Sequence, residues 1–173
     1  MEVTRFHVPE LAGLGRGVIA IEPAAGQDGN SPEFGSYAGA VSRQLSLLGY
    51  SAASGAGSSP QVAVLRIERR SFRPERARGP VSVGVGGSTG NYGSGVGLGI
   101  GLDLSGPPPA LVETLLGVTI RDRTSGKALW EGKASFTVRA ASPLATTQLG
   151  AAKLAEALFK GFPGSSGETI QVQ

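Results

Sequence analysis

His7 is the only histidine in the chain of 173 residues, and cysteine is absent. Together these facts remove the commonest reactive centres. Paired-imidazole and thiolate metal sites, thiolate nucleophiles and disulfides all need residues that are not there. A Ser-His-Asp relay would have to join His7 to Asp28, Asp103 or Asp122. No strand-to-helix elbow presents a serine for such a relay. Acid–base work by paired carboxylates has one candidate pair, Asp122 and Glu131, near the turn end of a long hairpin. Arg121, Arg123 and Lys133 flank both acids, so surface ion pairing is their expected use. Gly-x-Gly repeats over 84–101 suggest a phosphate loop, but they run through a strand at period two and no helix follows. No catalytic, cofactor-binding or metal-ligating residue is therefore assigned. The reading is of a protein that is not an enzyme and carries no cofactor.

Two features could meet a partner. Arg66, Arg69, Arg70 and Arg73 open a basic run that continues to Arg76 and Arg78 and is interrupted by Glu68 and Glu75. With Phe72 as its one aromatic, the run lacks the density and stacking rings of a nucleic-acid surface, and no nucleic acid is expected. Solvated charges on a strand end are the plain alternative; arginines facing anionic lipid or polysaccharide are another. The second feature is a ribbon over 80–106. In Val81-Ser82-Val83-Gly84-Val85 aliphatic residues alternate with Ser or Gly, and in Gly95-Val96-Gly97-Leu98-Gly99-Ile100-Gly101-Leu102-Asp103-Leu104 almost strictly with Gly, which predicts a hairpin with one aliphatic and one nearly bare face. It could be covered within its own domain or by a symmetry mate. It could also pair with a partner or with itself, or enter a membrane in an oligomer. The candidate interaction surface is thus Arg66, Arg69, Arg70 and Arg73 with Val96, Leu98 and Ile100.

These residues need a scaffold, and the pattern predicts one. Leu111–Asp122, a turn at Arg123-Thr124-Ser125-Gly126, and Lys127–Ala140 read as a long β-hairpin carrying Trp130. Strands are also expected at Glu2–Val8, Gly15–Pro23 and Gln61–Phe72. Ser31-Pro32-Glu33 is a helix start, with a hydroxyl cap, proline at the first position and an acid in the first turn. Phe34, Tyr37, Ala38, Val41, Leu45 and Leu48 then form an apolar stripe that Gly49 ends. Ser142-Pro143 predicts a second helix, with Leu144, Ala151, Leu154, Ala155, Leu158 and Phe162 inward. Ser51–Pro60 reads as a loop, and 165–173 as a tail that is either a short edge strand or disordered. Strands joined by short turns pair antiparallel. The expectation is one α+β domain of two layers, an antiparallel sheet with both helices on one face, plus the Gly-rich hairpin.

The composition bounds this reading. Twenty-eight Gly and eleven Pro bring the chain close to low-complexity levels, while 40% hydrophobic residues still permit a core. Net charge is +3 and the pI about 9.6, a mild excess that selects no partner. No apolar run reaches the roughly 18–20 residues of a spanning helix. Met1 leads straight into a strand, which leads us to expect a natural leader upstream.

Several short motifs occur in order along nearly the whole chain: Leu48-Gly49-Tyr50, Glu113-Thr114-Leu115, Gly126-Lys127-Ala128-Leu129-Trp130-Glu131-Gly132, Phe162-Pro163 and the Val81–Leu104 ribbon. In these the chain resembles the domain of unknown function 4136 family, small lipoproteins of Gram-negative bacteria. An acidic residue expected before the third strand is replaced here by Ser59-Pro60-Gln61. The resemblance implies an uncharacterised periplasmic protein anchored to the outer membrane of the cell envelope. Family members carry a signal peptide and a lipid-bearing cysteine, which this sequence lacks. It implies a structural or binding role with an unknown protein or envelope component, or a homo-oligomer, and no assigned reaction.

Overall fold

A computed structural model describes residues 1–9, 14–54, 59–75 and 108–172, and the backbone of 81–89 and 94–102. Expectations for Arg76, Arg78 and Asp103, and for the connections at 90–93 and 103–107, lie outside the described residues. Two compact units emerge, one from Met1–Ser71 with Leu111–Gln173, the other from Phe72–Ala110.

The first unit is α+β. Its strands are β1 (Glu2–His7), β2 (Gly17–Pro23), β3 (Tyr50–Ala52), β4 (Gln61–Phe72), β7 (Leu111–Asp122), β8 (Ala128–Arg139) and β9 (Glu168–Gln171), with helices α1 (Pro32–Leu47) and α2 (Thr147–Phe159). They form one seven-stranded sheet in the order β3-β2-β4-β7-β8-β1-β9. β1 pairs antiparallel with β8 and β9, and β7 with β8, but β2 runs parallel to both β3 and β4. The sheet is therefore mixed, which corrects the antiparallel expectation. The cause is local: α1 separates β2 from the strands that flank it. A strand that returns after a helix crossover comes back parallel. Ser51 and Ala52, read from sequence as the start of a loop, belong with Tyr50 to the edge strand that this crossover creates.

Side-chain alternation puts the even residues of β7 and β8 on the helix side. Val112, Thr114, Leu116, Val118 and Ile120 are buried, opposite Val138, Phe136, Ala134, Gly132 and Trp130 respectively. Both helices pack on this face and against each other, and their apolar residues share one core with Val3, Leu65 and Trp130. α1 forms as its sequence specifies. Ser31 Oγ accepts from the Phe34 N–H at 3.1 Å, Pro32 opens the helix, and Gly49 follows its end with φ +103°. A Cβ on Gly49 would sit 2.6 Å from the Gly15 carbonyl oxygen, so both conformation and space demand glycine there.

α2 departs from the expectation. Ser142-Pro143 opens a single 3-10 turn, Pro143–Ala145, and the helix proper starts only at Thr147. Ser142 Oγ accepts from Leu144 N–H, so the Ser-Pro signal caps that short turn instead. Phe159 joins Phe162 against Trp130. The Trp130 and Phe159 rings stack at 5.3 Å with 17° between planes, and Phe162 lies 5.2 Å from Trp130.

Trp130 occupies its place because Gly132, two residues along the same face of β8, has no side chain. A Cβ on Gly132 would fall 2.3 Å from Trp130 Cη2 and 2.8 Å from Leu158 Cδ1. Neither a buried ring nor a core leucine yields cheaply at such distances. Gly132→Ala is expected to lower stability by about 1–3 kcal/mol through overpacking. Urea unfolding followed by the emission of Trp130, the sole tryptophan, reads this directly; an unchanged midpoint would contradict the packing.

The second unit is a hairpin, β5 (Val81–Thr89) with β6 (Ser94–Leu102), a two-stranded sheet of its own. It is inserted between β4 and β7, which are neighbours in the main sheet.

Candidate interaction surface

Residues that could do chemistry are, in the folded chain, engaged in holding it together. Arg5 lies on the inward face of β1 beside Gly132 and is only 5% exposed. Its Nε donates to the Leu158 carbonyl at 3.0 Å and its Nη2 to the Ala157 carbonyl at 3.1 Å. The last carbonyls of a helix have no partner within it, and a cation there also meets the negative end of the helix dipole. Arg5 thus satisfies the buried end of α2. Burial lowers its pKa and the nearby Glu168 opposes that effect. His7 ends the same strand, with Nδ1 2.9 Å from the Val8 carbonyl and Nε2 3.2 Å from that of Gly164. A neutral ring donates through only one nitrogen at a time. Ser166 Oγ accepts from the His7 N–H, so His7 serves the junction of β1 with the 164–166 segment.

The acids are engaged in the same way. Asp122 Oδ1 accepts from Ser125 N–H at 2.7 Å and from Ser125 Oγ at 2.8 Å, closing the β7–β8 turn. Those bonds hold its carboxyl below the usual range. Glu131 faces Lys133 at 3.7 Å. Asp28 Oδ1 accepts from Asn30 N–H within the loop before α1. Ser88 does fall in a Gly86-Gly87-Ser88-Thr89-Gly90 spacing, but inside β5, opposite Gly95, and β5 leads to another strand. Among the described residues no group of three or more His, Asp or Glu is placed to hold a metal ion.

The arginines divide between faces. Arg66 and Arg70 approach Glu68 at 3.8 and 3.9 Å. These are exposed pairs, contributing about 0–1 kcal/mol each. Arg69 points to the helix side. Its guanidinium donates to the Ala145 carbonyl and to Thr147 Oγ1, and lies 3.8 Å from Glu33. It therefore links β4 to the starts of both helices while its side chain stays 36% exposed. Arg73 is exposed and belongs to the second unit. In that unit the register sets Val85 against Leu98, Val83 against Ile100 and Gly87 against Val96. The sequence-derived surface is consequently three groups: Arg66 and Arg70 on the main sheet, Arg69 in a structural tie, and Arg73 with Val96, Leu98 and Ile100 on the inserted unit.

Sequence reasoning missed the trough formed by the sheet face away from the helices. Val64, Leu115, Gly117 and Thr119 floor it, and Arg66, Glu68, Arg121, Glu131 and Lys133 stand around them, enclosing about 660 Å³. The signal was present as charges at every second position of β4 and β8, but only the strand order sets those strands on either side of β7. A smaller cleft of about 370 Å³ runs between β2, β3 and α1. There Ser42, Ser46, Ser51 and Ser54 surround an apolar floor of Ile19, Ile21 and Leu45.

Two expectations follow from the buried polar groups. Arg5→Met keeps the stem and leaves two buried carbonyls unpaired, and should cost about 1–3 kcal/mol; a full-length thermal melt checks it, and a wild-type midpoint would refute the tie. Tyr37, 1% exposed, has its hydroxyl pushed up to about 12 by burial and Glu33, with Arg69 opposing. A phenol raised above its unfolded value of ~10 stays protonated in the fold while the unfolded chain loses its proton. Its contribution is complete below pH ~10 and is lost as pH rises towards ~12, a fall of about 2–3 kcal/mol. Tyr37→Phe should flatten that part of the alkaline stability profile relative to wild type; parallel profiles would count against it.

Comparison with known proteins gives the fold and no activity. No family model matches the chain. An uncharacterized protein of Zymomonas mobilis is 37% identical over 62 residues, which span 36% of this chain and 23% of that protein. A PDZ domain protein from Parabacteroides distasonis superposes with a TM-score of 0.52 at 10% identity, over 98% of this chain and 38% of its own. The PelC dodecamer from Paraburkholderia phytofirmans gives a TM-score of 0.46 at 11% identity, over 92% of this chain and 95% of its own. The chain is thus similar to less than a quarter of the Zymomonas protein's length, and at 10% identity the Parabacteroides protein shares an architecture only.

Proposed function

We propose that this chain is a cell-envelope domain that works by binding, not by catalysis, and that it is held at the periplasmic face of the outer membrane by a lipid anchor at the start of the full-length precursor. One observation carries the non-catalytic part. The ionisable groups best placed for chemistry, Arg5, His7 and Asp122, each satisfy backbone groups at element ends. A group committed to such bonds is a poor proton carrier, because moving its proton breaks a structural contact. The envelope part rests on the resemblance to the 4136 family. The trough edged by Arg66, Glu68, Arg121, Glu131 and Lys133 offers charges of both signs, which suits a protein or envelope-component partner better than a polyanion.

Expression of the complete natural reading frame in a Gram-negative host, with radiolabelled palmitate and membrane fractionation, tests the anchor. Label incorporation and recovery with outer membranes are expected. An unlabelled product in the cytosol would refute the envelope assignment.

A second reading is favoured by a separate observation. The β5–β6 hairpin has two strand edges and no third strand among the described residues. In this reading the hairpin is the working element, joining copies of the chain into a homo-oligomer or meeting the membrane.

A further inference from the structure

We propose that the β5–β6 hairpin crosses a lipid bilayer, with strands from several copies of this chain pairing edge to edge into a closed barrel. The inference deepens the second reading above and does not depend on the lipid anchor. It begins with length. Both strands are nine residues long, about 30 Å at ~3.3 Å per residue. At the ~45° tilt of a spanning strand this covers about 21 Å of depth, so each strand sits at the lower end of the ~9–11 residues that spanning needs and near the ~25 Å apolar band of such barrels.

Charge gives the second argument. Between Arg78 and Asp103 there is no Asp, Glu, Lys or Arg, whereas every other strand or α-helix longer than four residues carries at least one. A charged residue on the lipid face at mid-bilayer costs roughly 2–4 kcal/mol, so a charge-free band is what that environment selects.

Register gives the third. Val81, Val83 and Val85 pair with Leu102, Ile100 and Leu98, whereas Ser82, Gly84 and Gly86 pair with Gly101, Gly99 and Gly97. Alternate pairs fall on opposite faces, so one face carries all seven aliphatic residues, with Gly87 opposite Val96 and Thr89 opposite Ser94 at the turn end, and the other carries only Ser and Gly. Spanning barrels show this division, apolar towards lipid and non-apolar towards the lumen. A bare lumen face admits water to the backbone and leaves no side chain to be buried dry.

Closure then requires copies. A two-stranded ribbon exposes unpaired N–H and C=O groups along both edges, and open edges are not tolerated in hydrocarbon. The smallest barrels have about eight strands, hence about four chains or more, each giving one hairpin.

The test uses the full chain, which has no native cysteine. Leu98→Cys and Ser88→Cys, on opposite faces by register, each carry an environment-sensitive nitrobenzoxadiazole label. The proteins are mixed with phosphatidylethanolamine–phosphatidylglycerol vesicles loaded with calcein. Expected are a blue shift at position 98, none at 88, and dye release. Val85→Asp with Leu98→Asp should abolish release while Trp130 emission, in the other unit, stays native and shows that the chain is folded. The proposal is overturned if neither label responds to vesicles, as when the aliphatic face is covered within the domain or by a second copy in water. It is equally overturned if both labels shift alike, or if release survives the double substitution. Failure of palmitate labelling leaves each of these outcomes unchanged, so the two ideas fail separately.

Discussion

The end of α2 is where this fold is decided. A helix that finishes inside a core leaves carbonyls that must find donors, and Arg5 reaches across from β1 to supply them. Placing a guanidinium there is tolerable only because its hydrogen bonds are made to fixed backbone groups. The requirement spreads outwards. β1 must lie beside β8 in the register that sets Arg5 next to Gly132. Gly132 must remain without a side chain so that the Trp130 ring can lie over it. Trp130 in turn donates its indole N–H to the Pro163 carbonyl at 3.0 Å, which fixes the turn after α2. Gly164 follows with φ +81°, and a Cβ there would touch the Arg5 side chain at 2.9 Å. One polar contact thus constrains two strands, one helix and one turn.

Aromatic burial supplies the driving force for that arrangement. An indole removed from water takes with it roughly 150–250 Å² of surface, about 4–6 kcal/mol as an upper estimate at ~25 cal/mol per Å². Stacked on Phe159 and close to Phe162, it dominates the neighbourhood energetically. The surface ion pairs around Glu68 are small beside it. Arg123 is the exception among the charged groups. It donates to Glu22 at 2.6 Å and to the Ser59 carbonyl at 2.9 Å, tying the β7–β8 turn to the end of β2 and to the segment before β4. Ser59 and Pro60 are therefore part of a clasp whose acid comes from Glu22.

The elements whose signals are local could be read from sequence. The cap at Ser31, the apolar stripe of α1, the β7–β8 hairpin and the Gln61–Phe72 strand all rest on spacing within a few residues. What the sequence did not disclose depends on relations between distant segments. Parallel pairing of β2 follows from where a helix crosses over, not from any residue in β2. Ser142-Pro143 is a valid helix-start signal, yet Thr146, in extended conformation, separates the turn it caps from α2. Arg69 looked like one more member of a basic run; alternation along β4 turns it to the opposite face from Arg66 and Arg70. The trough stayed hidden because its charges come from three strands that are neighbours only through the sheet order.

Glycine serves unlike purposes in the two units, and the magnitudes show how unlike. Gly49 and Gly132 are required singly, by backbone angle and by ring volume. The strands of the hairpin hold seven glycines, Gly84, Gly86, Gly87, Gly95, Gly97, Gly99 and Gly101. At about 0.5–1 kcal/mol each relative to alanine, they weigh against the ribbon by about 4–7 kcal/mol, comparable to the whole stability of a modest domain. Two-stranded hairpins are marginal in water even with good strand formers. A sequence that keeps such a handicap gains something from the missing side chains that alanine or valine would forfeit. Cross-strand pairing of glycine with glycine at 84/99 and 86/97 concentrates the bareness on one face instead of scattering it. That concentration is what a surface needs if its backbone is to be approached by water or by another chain, and it assigns the chain's distinctive property to the inserted hairpin and not to the seven-stranded sheet.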